Sequence, residues 1–196
     1  MSDRTAQLRK MIASFALSFA IFAIVFHDWR FGLGFVVLIL VHELGHFAEA
    51  RRQGVDVTLP TFIPLIGAYV LVRTDGLAPW RNALISLAGP FAGGLGAAAV
   101  WAIGSSRGTP WVIELASWAF FLNATNLLPI GVLDGGSVLR GITETWRRPA
   151  IRYENNVPIS ASAPERDRAI LIAVLYVLLA AGLVACWIVA RRSAGF

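Results

Sequence analysis

Five apolar runs constrain the fold of this chain more than any other feature of its sequence. A transmembrane helix needs about 20 apolar residues to cross a bilayer, and four of the five runs approach or reach that length. The composition agrees, because 57% of the residues are hydrophobic and 15% are charged, against roughly a half and a quarter in soluble domains. The sequence therefore predicts an all-α polytopic membrane protein with about five transmembrane helices. The runs cover residues 11–26, 31–50, 83–103, 111–128 and 169–190.

Basic residues predict which side of the membrane each helix end faces, because Lys and Arg are enriched on the cytoplasmic side of membrane proteins. With a cytoplasmic N-terminus, 13 of the 17 basic residues fall inside and four outside. Residues 1–10 are polar and basic, and no small-residue cleavage site follows the first run. That run is therefore predicted to be a retained signal-anchor helix. The four outer residues are Arg30, Arg107, Arg191 and Arg192.

A shorter apolar segment, residues 59–72, is too short to span as a helix. It contains Pro60 and Pro64, which break helices. Its β-branched and aromatic residues around Gly67 favour strands or a re-entrant hairpin that dips into the membrane. Such a backbone is tolerated at membrane depth only where it is buried in protein or lines a cavity. An interfacial loop without a role in chemistry is the alternative.

The second run carries polar residues that membrane helices rarely contain. It includes His42-Glu43-Leu44-Gly45-His46, and residues four apart lie on one face of a helix, so the two histidines can bind one metal ion. Glu43 lies one position round the helix and can reach a water on that metal. Ionisable residues inside a membrane segment are costly and mark function by default. The pattern predicts the metal pair and general base of a zinc hydrolase.

Catalytic zinc usually takes three protein ligands, and two carboxylates are candidates for the third. Glu49 lies about 10 Å along the helix from the level of His42, which predicts a carboxylate at the interface or one that supports a ligand. Asp134 follows the fourth run, and the two glycines after it leave the backbone free to bend it inward. A turn or cap aspartate is the alternative reading. The incomplete motif at the same depth favours Asp134 as the third ligand.

Other features of the sequence restrict the range of possible functions less strongly. His27 stands at a helix end and is predicted to be exposed or interfacial rather than a ligand. Cys186 is the only cysteine, which excludes an intramolecular disulfide and a cysteine metal site. The net charge of +5 is explained by anchoring of helix ends, since no basic run is interleaved with aromatics on a soluble module. Nucleic acid is therefore not an expected partner.

Together these motifs resemble the site-2 protease family of intramembrane zinc metalloproteases. The resemblance rests on His-Glu-Leu-Gly-His at 42–46, on Asn126-x-x-Pro129-x-x-x-x-Asp134-Gly135, and on Gly89-Pro90 in the run between. It covers roughly residues 31–140. No PDZ-sized insertion and no nucleotide-sensing domain is visible, so the chain looks like a minimal form of the family.

The resemblance implies roles for individual residues. His42, His46 and Asp134 would bind one zinc ion, and Glu43 would activate the zinc water that attacks the peptide bond.

Substrate contacts are implied as well. Asn126 and Pro129 would help to hold the substrate backbone. Segment 59–72, with Gly67, would correspond to the family's membrane-embedded sheet, which pairs with an unwound substrate.

The implied task is to cut a transmembrane segment of a regulatory protein that another protease has already trimmed. The expected partners are therefore that transmembrane substrate and the lipid bilayer. We expect one protease domain over residues 1–196 in the plasma membrane, with its N-terminus and active-site opening on the cytoplasmic side. Within it, residues 31–140 would form the catalytic core, 140–168 a polar cytoplasmic loop, and 169–190 the last transmembrane helix.

Three alternatives remain open. The ligands could serve a membrane zinc transporter or sensor without proteolytic activity, which would have no special need for a carboxylic acid at position 43. A relative that binds transmembrane partners without cutting them would be expected to lose one of the four metal-site residues. A membrane-bound zinc peptidase that acts on soluble peptides differs only in where its substrate lies.

Overall fold

The computed structural model describes residues 2–73, 76–147, 150–154, 157–161 and 163–194. Within this part the chain forms six helices and two antiparallel hairpins. The helices are α1 (Ser2–Val25), α2 (Trp29–Arg52), α3 (Pro79–Arg107), α4 (Pro110–Asn126), α5 (Asp134–Arg147) and α6 (Ala163–Ser193). The hairpins pair β1 (Thr61–Ile63) with β2 (Gly67–Tyr69), and β3 (Ala150–Glu154) with β4 (Val157–Ala161).

The predicted class, an all-α polytopic membrane protein, is confirmed. Four helices in the described part of the chain, α1, α2, α3 and α6, are long and apolar enough to cross a membrane. Helix α4 has 17 residues, which is at the lower end of the transmembrane range. Helices α1 and α6 expose apolar side chains such as Leu17, Leu171 and Leu178. Lipid is the solvent that suits such surfaces, so the chain is an integral, multi-pass membrane protein.

Helices α1, α2, α3 and α6 extend at one or both ends beyond the apolar runs that predicted them, whereas α4 ends at Asn126, before its run does. Helix α1 begins at Ser2 and α6 at Ala163, because polar residues continue a helix outside the hydrocarbon core without cost. Helix α2 begins after Asp28, whose carboxylate accepts a hydrogen bond from the Arg30 N–H at 2.8 Å. Helix α3 ends at Arg107, and Gly108 caps it in the left-handed conformation with φ of 59°.

The prediction of a polar loop over residues 140–168 is wrong. That stretch contains the end of α5, the β3–β4 hairpin and the start of α6. Helix α5 buries Gly135, Val138, Gly141 and Thr145 on one stripe, and this helical spacing is easily missed because only Val138 among the four has an apolar side chain larger than a methyl group. The stripe packs against the start of α3, where a side chain at Gly141 would overlap the Pro79 carbonyl.

Helix α3 lies at the centre and packs against α2, α4, α5 and α6. Small residues allow this close approach. A Cβ atom added at Gly45 of α2 would overlap the Ala88 carbonyl, and one added at Gly94 would overlap Leu183 of α6. The backbones of α2 and α3 are therefore nearly in contact where α2 carries its histidines.

Segment 59–72 contains the β1–β2 hairpin. Phe62 pairs with Ala68 in its antiparallel register. Helix α1 covers the outer edge of β1, because the Phe62 N–H donates to Ser14 Oγ at 3.2 Å and the Phe62 ring packs edge-on against Phe15. Strand β2 lies on the opposite side of the hairpin, next to α2.

Candidate metal centre

Helix α2 supplies two buried imidazoles. His42 and His46 are 3% and 7% exposed, and their Nε2 atoms lie 3.1 Å apart. The one-turn spacing places both rings on the same face of the helix. The two nitrogens therefore point at one location, as the motif predicts.

Asp134 completes the group from the first residue of α5. Its Oδ2 lies 3.2 Å from His42 Nε2, and its Oδ1 lies 3.3 Å from His46 Nε2. Tetrahedral zinc with bonds of 2.0–2.1 Å separates its ligand atoms by about 3.3 Å. Each Asp134 oxygen lies at about this distance from one of the two nitrogens, so the two imidazoles and the carboxylate group together could hold a single zinc ion.

The hydrogen bonds of the two histidines test this fit independently. His46 Nδ1 lies 2.8 Å from the Ile85 carbonyl oxygen, and His42 Nδ1 lies 2.8 Å from the Asn123 Oδ1. Both partners can only accept a hydrogen bond, so each Nδ1 carries hydrogen, and the neutral form of each ring presents the Nε2 lone pair that a metal needs. Two lone pairs and a carboxylate converge on one point, which is the donor set of a metal cation.

Glycines place Asp134, but not in the way that the sequence suggested. Gly135 and Gly136 belong to the first turn of α5 rather than to a flexible bend. A Cβ at Gly135 would overlap the Leu127 carbonyl, and one at Gly136 would overlap the Ile130 carbonyl. The two glycines therefore let the start of α5 press against the loop after α4, which carries Asp134 towards α2.

Helix α3 is shaped around the His46 ring. A Cβ at Gly89 would overlap Nε2 and Cε1 of that ring. Pro90 cannot donate the helical hydrogen bond to the Ser86 carbonyl, and the neighbouring Ile85 carbonyl accepts a hydrogen bond from His46. The Gly89-Pro90 pair thus provides space for one metal ligand beside the carbonyl that orients it.

Glu43 and the three donor residues line one cavity of about 450 Å³. The Glu43 side chain is buried and interacts electrostatically with His42, His46 and Asp134. Strand β2, the start of α3 and the end of α4 form the remaining walls. A carboxylate beside a group that could hold a metal, in a cavity that opens to the surface, is the arrangement of a metal-assisted hydrolase.

The other predicted site residues have different positions. Gly67 and Asn126 lie in the cavity wall, whereas Pro129 is exposed in the turn after α4 and outside that wall. Glu49 accepts hydrogen bonds from Arg52 at 2.7 Å on both oxygens and does not support a ligand. His27 is exposed in the turn after α1, as predicted.

Asn123 is the site residue that sequence reasoning missed. It is 1% exposed and contacts His42 directly. The family-like motif drew attention to Asn126 instead, one turn further along the same helix. A signal was present, because an amide in the middle of an apolar run needs a hydrogen-bonding partner there.

The fold and this centre together define a multi-pass membrane protein in which two buried histidines and a partly buried aspartate could hold a metal beside a glutamate. The model of peptidase family M50 matches residues 30–111 and 105–162, which include both site segments. The chain therefore belongs to peptidase family M50, and its resemblance to site-2 proteases is confirmed.

Two similar proteins are named as zinc metalloproteases. Rip3 of Mycobacterium tuberculosis is 32% identical over 168 residues, which cover 79% of this chain and 40% of Rip3. The chloroplast protein EGY1 of Arabidopsis thaliana is 30% identical over 157 residues, covering 55% of this chain and 28% of EGY1. The chain thus spans less than half the length of either relative. No solved structure matches it.

Gly89→Ala should weaken metal binding, because the added methyl group would displace the His46 ring. We expect zinc affinity, measured by chelator competition on the purified protein, to fall about 10-fold or more. Gly182→Ala is the matched control, since nothing lies within 4 Å of its added Cβ. Wild-type zinc affinity in Gly89→Ala would contradict the described packing of His46.

Proposed function

We propose that this protein is an intramembrane zinc metalloprotease. It hydrolyses peptide bonds within or next to transmembrane segments of regulatory membrane proteins, which another protease has trimmed beforehand. The observation that carries the proposal is the convergence of His42, His46 and Asp134 beside Glu43 in a cavity bounded by a strand edge. One zinc ion is sufficient for this donor set.

The chemistry that a bound zinc ion supplies is an acidified water and a polarised substrate carbonyl. The residues of the chain do the rest. The two histidines and Asp134 hold the metal, and Glu43 accepts the proton of the attacking water and passes it to the leaving amide nitrogen. Glu43 can serve because its carboxylate lines the same cavity as the ligands.

The substrate must be unwound before it is cut, because its helical carbonyls are engaged in hydrogen bonds. Backbone groups of strand β2 can form hydrogen bonds with the unwound substrate in place of its helical ones. In the antiparallel register Phe62 faces Ala68, and the Phe62 N–H points away from β2, towards Ser14. The pair is therefore a non-hydrogen-bonded one, and the Ala68 N–H and C=O point away from β1.

Val70 has the same orientation as Ala68. Its neighbour Leu71 faces the other way, since the Leu71 carbonyl accepts from the Thr58 N–H and the Leu71 N–H donates to Thr58 Oγ1. Alternate residues of a strand point to opposite sides, so Val70 presents its backbone on the same edge as Ala68. Both residues line the cavity. An extended substrate can add to this edge as a further strand, beside the metal centre.

Glu43→Gln should abolish cleavage and leave the zinc in place. Glutamine keeps the shape of the side chain but cannot accept the proton, and loss of a general base costs about 10²–10⁴-fold in rate. We would measure cleavage of a transmembrane reporter by purified protein in liposomes, with zinc content determined on the same samples. Asp134→Ala is the companion variant, which should lose zinc as well as activity.

Normal cleavage by either variant would contradict the proposal. Zinc movement across the liposome membrane, unchanged in Glu43→Gln, would instead support a transporter. Substrates can be sought in cells that carry Glu43→Gln in place of the wild type. A trimmed membrane protein that accumulates only with the variant is the expected result.

Ala68→Pro should impair substrate binding while the hairpin remains paired. The substitution removes an N–H that faces the cavity rather than β1, and proline is tolerated on strand edges. We expect KM for the liposome reporter to rise and zinc content to stay unchanged. Ala68→Ser keeps the N–H and is the control. Equal KM values for the two variants would show that the substrate does not pair with this edge.

We further propose that the cavity opens to the cytoplasm and that the N-terminus lies there, in the plasma membrane, as the basic residues indicate. Asp56 and Ser106 are exposed near opposite ends of the bundle. In a Cys186→Ala background, a membrane-impermeant thiol reagent should label Ser106→Cys in intact cells and Asp56→Cys only after lysis. The reverse pattern would invert the topology.

A further inference from the structure

We infer that Asn123 is a positioning residue for the metal centre, a role that presupposes the zinc site proposed above. Its amide oxygen holds the His42 ring in one orientation and in the tautomer that leaves Nε2 free to bind metal. Asn123 is not a ligand and lies one turn away from Asn126, the asparagine to which the family-like motif assigns a substrate contact.

The first observation is that both ends of this buried amide are used. Burial of an amide is costly unless its donor and its acceptor are paired. Asn123 Nδ2 donates to the Ala119 carbonyl at 2.7 Å, and Oδ1 lies 2.8 Å from His42 Nδ1. The amide therefore joins the backbone of α4 to a metal ligand on α2.

The second observation is that the amide has one orientation. The Ala119 carbonyl can only accept a hydrogen bond, so it must face the NH₂ group and the oxygen must face His42. An acceptor at Nδ1 requires hydrogen there and leaves the lone pair on Nε2, which lies 3.2 Å from Asp134. The opposite tautomer would direct an N–H at the metal position and prevent binding.

The third observation is the space that α3 leaves for this side chain. A Cβ at Gly93 would overlap Oδ1 of Asn123. Helices α2, α3 and α4 therefore meet at the amide, and its position relative to His42 is set by the packing of all three. Residues that orient metal-bound histidines typically change metal affinity by about 10–100-fold when they are removed.

The experiment compares zinc affinity among substitutions that separate packing from hydrogen bonding. Asn123→Leu keeps the approximate side-chain volume but has no hydrogen-bond acceptor. Asn123→Ala removes both the volume and the acceptor, and Asn123→Asp keeps the acceptor. We expect about 10–100-fold weaker zinc binding in the first two variants and recovery of most of this loss in Asn123→Asp. Chelator competition on purified protein measures these affinities without reference to proteolysis.

Asn126→Ala is the control for loss of an amide from the same helix, and its zinc affinity should match that of the wild type. Thermal unfolding of the metal-free proteins shows which variants fold. Nitrogen NMR of ¹⁵N-histidine-labelled, metal-free wild type reads the tautomer directly, and only three histidines are present. We expect hydrogen on His42 Nδ1 in the wild type and a mixture of tautomers in Asn123→Ala.

Wild-type zinc affinity in Asn123→Leu would overturn the inference, as would a His42 Nδ1 without hydrogen in the metal-free wild type. The tautomer measurement does so even if Asn123→Leu fails to fold. Failure of the protease proposal looks different. In that case the wild type binds zinc with the predicted dependence on residue 123, but cleaves no reporter.

Discussion

The rest of the structure depends on the convergence of two imidazole nitrogens and one carboxylate within 3.3 Å of one another. Electron-rich atoms repel at this distance, and the surrounding protein and lipid screen the repulsion poorly. Acceptors behind His42 and His46 nevertheless keep both lone pairs turned inward. The arrangement is favourable only with a cation at its centre, and it explains why polar groups this costly occur inside a membrane helix.

Helix α3 makes that convergence possible because it has glycines, without side chains, at the contact positions. Glycine in a helix interior costs about 1 kcal/mol relative to alanine, yet α3 has Gly89 against a metal ligand and Gly93 against the amide that orients the other histidine. Any side chain at these positions would push α2 and α4 outward. The intrinsic cost is offset by close packing, so the glycines of α3 belong to the metal centre as much as to the helix bundle.

Much of the fold and the site could be predicted because the signals are local or set by the membrane. Apolar runs of bilayer length predict helices, and the one-turn spacing of His42 and His46 predicts a shared metal. The predicted topology also brought Asp134 to the same depth as the histidines. Helix α5 was missed because its mean hydropathy is low and its buried stripe consists partly of glycine and threonine, although its apolar residues recur with a helical period. Asn123 was missed because its partner lies 81 residues away in the chain.

The sequence by itself determined that the chain lies in a membrane, that its second long helix presents two histidines and a glutamate on adjoining faces, and that a catalytic metal held there would need a third ligand. These follow from helical periodicity and from the cost of placing charge in lipid. Only the tertiary structure decided which atoms meet. The Nδ1–H tautomers, the strand edge at Ala68 and the contact of Asn123 with His42 depend on how separate elements pack, because each joins residues that no periodicity connects.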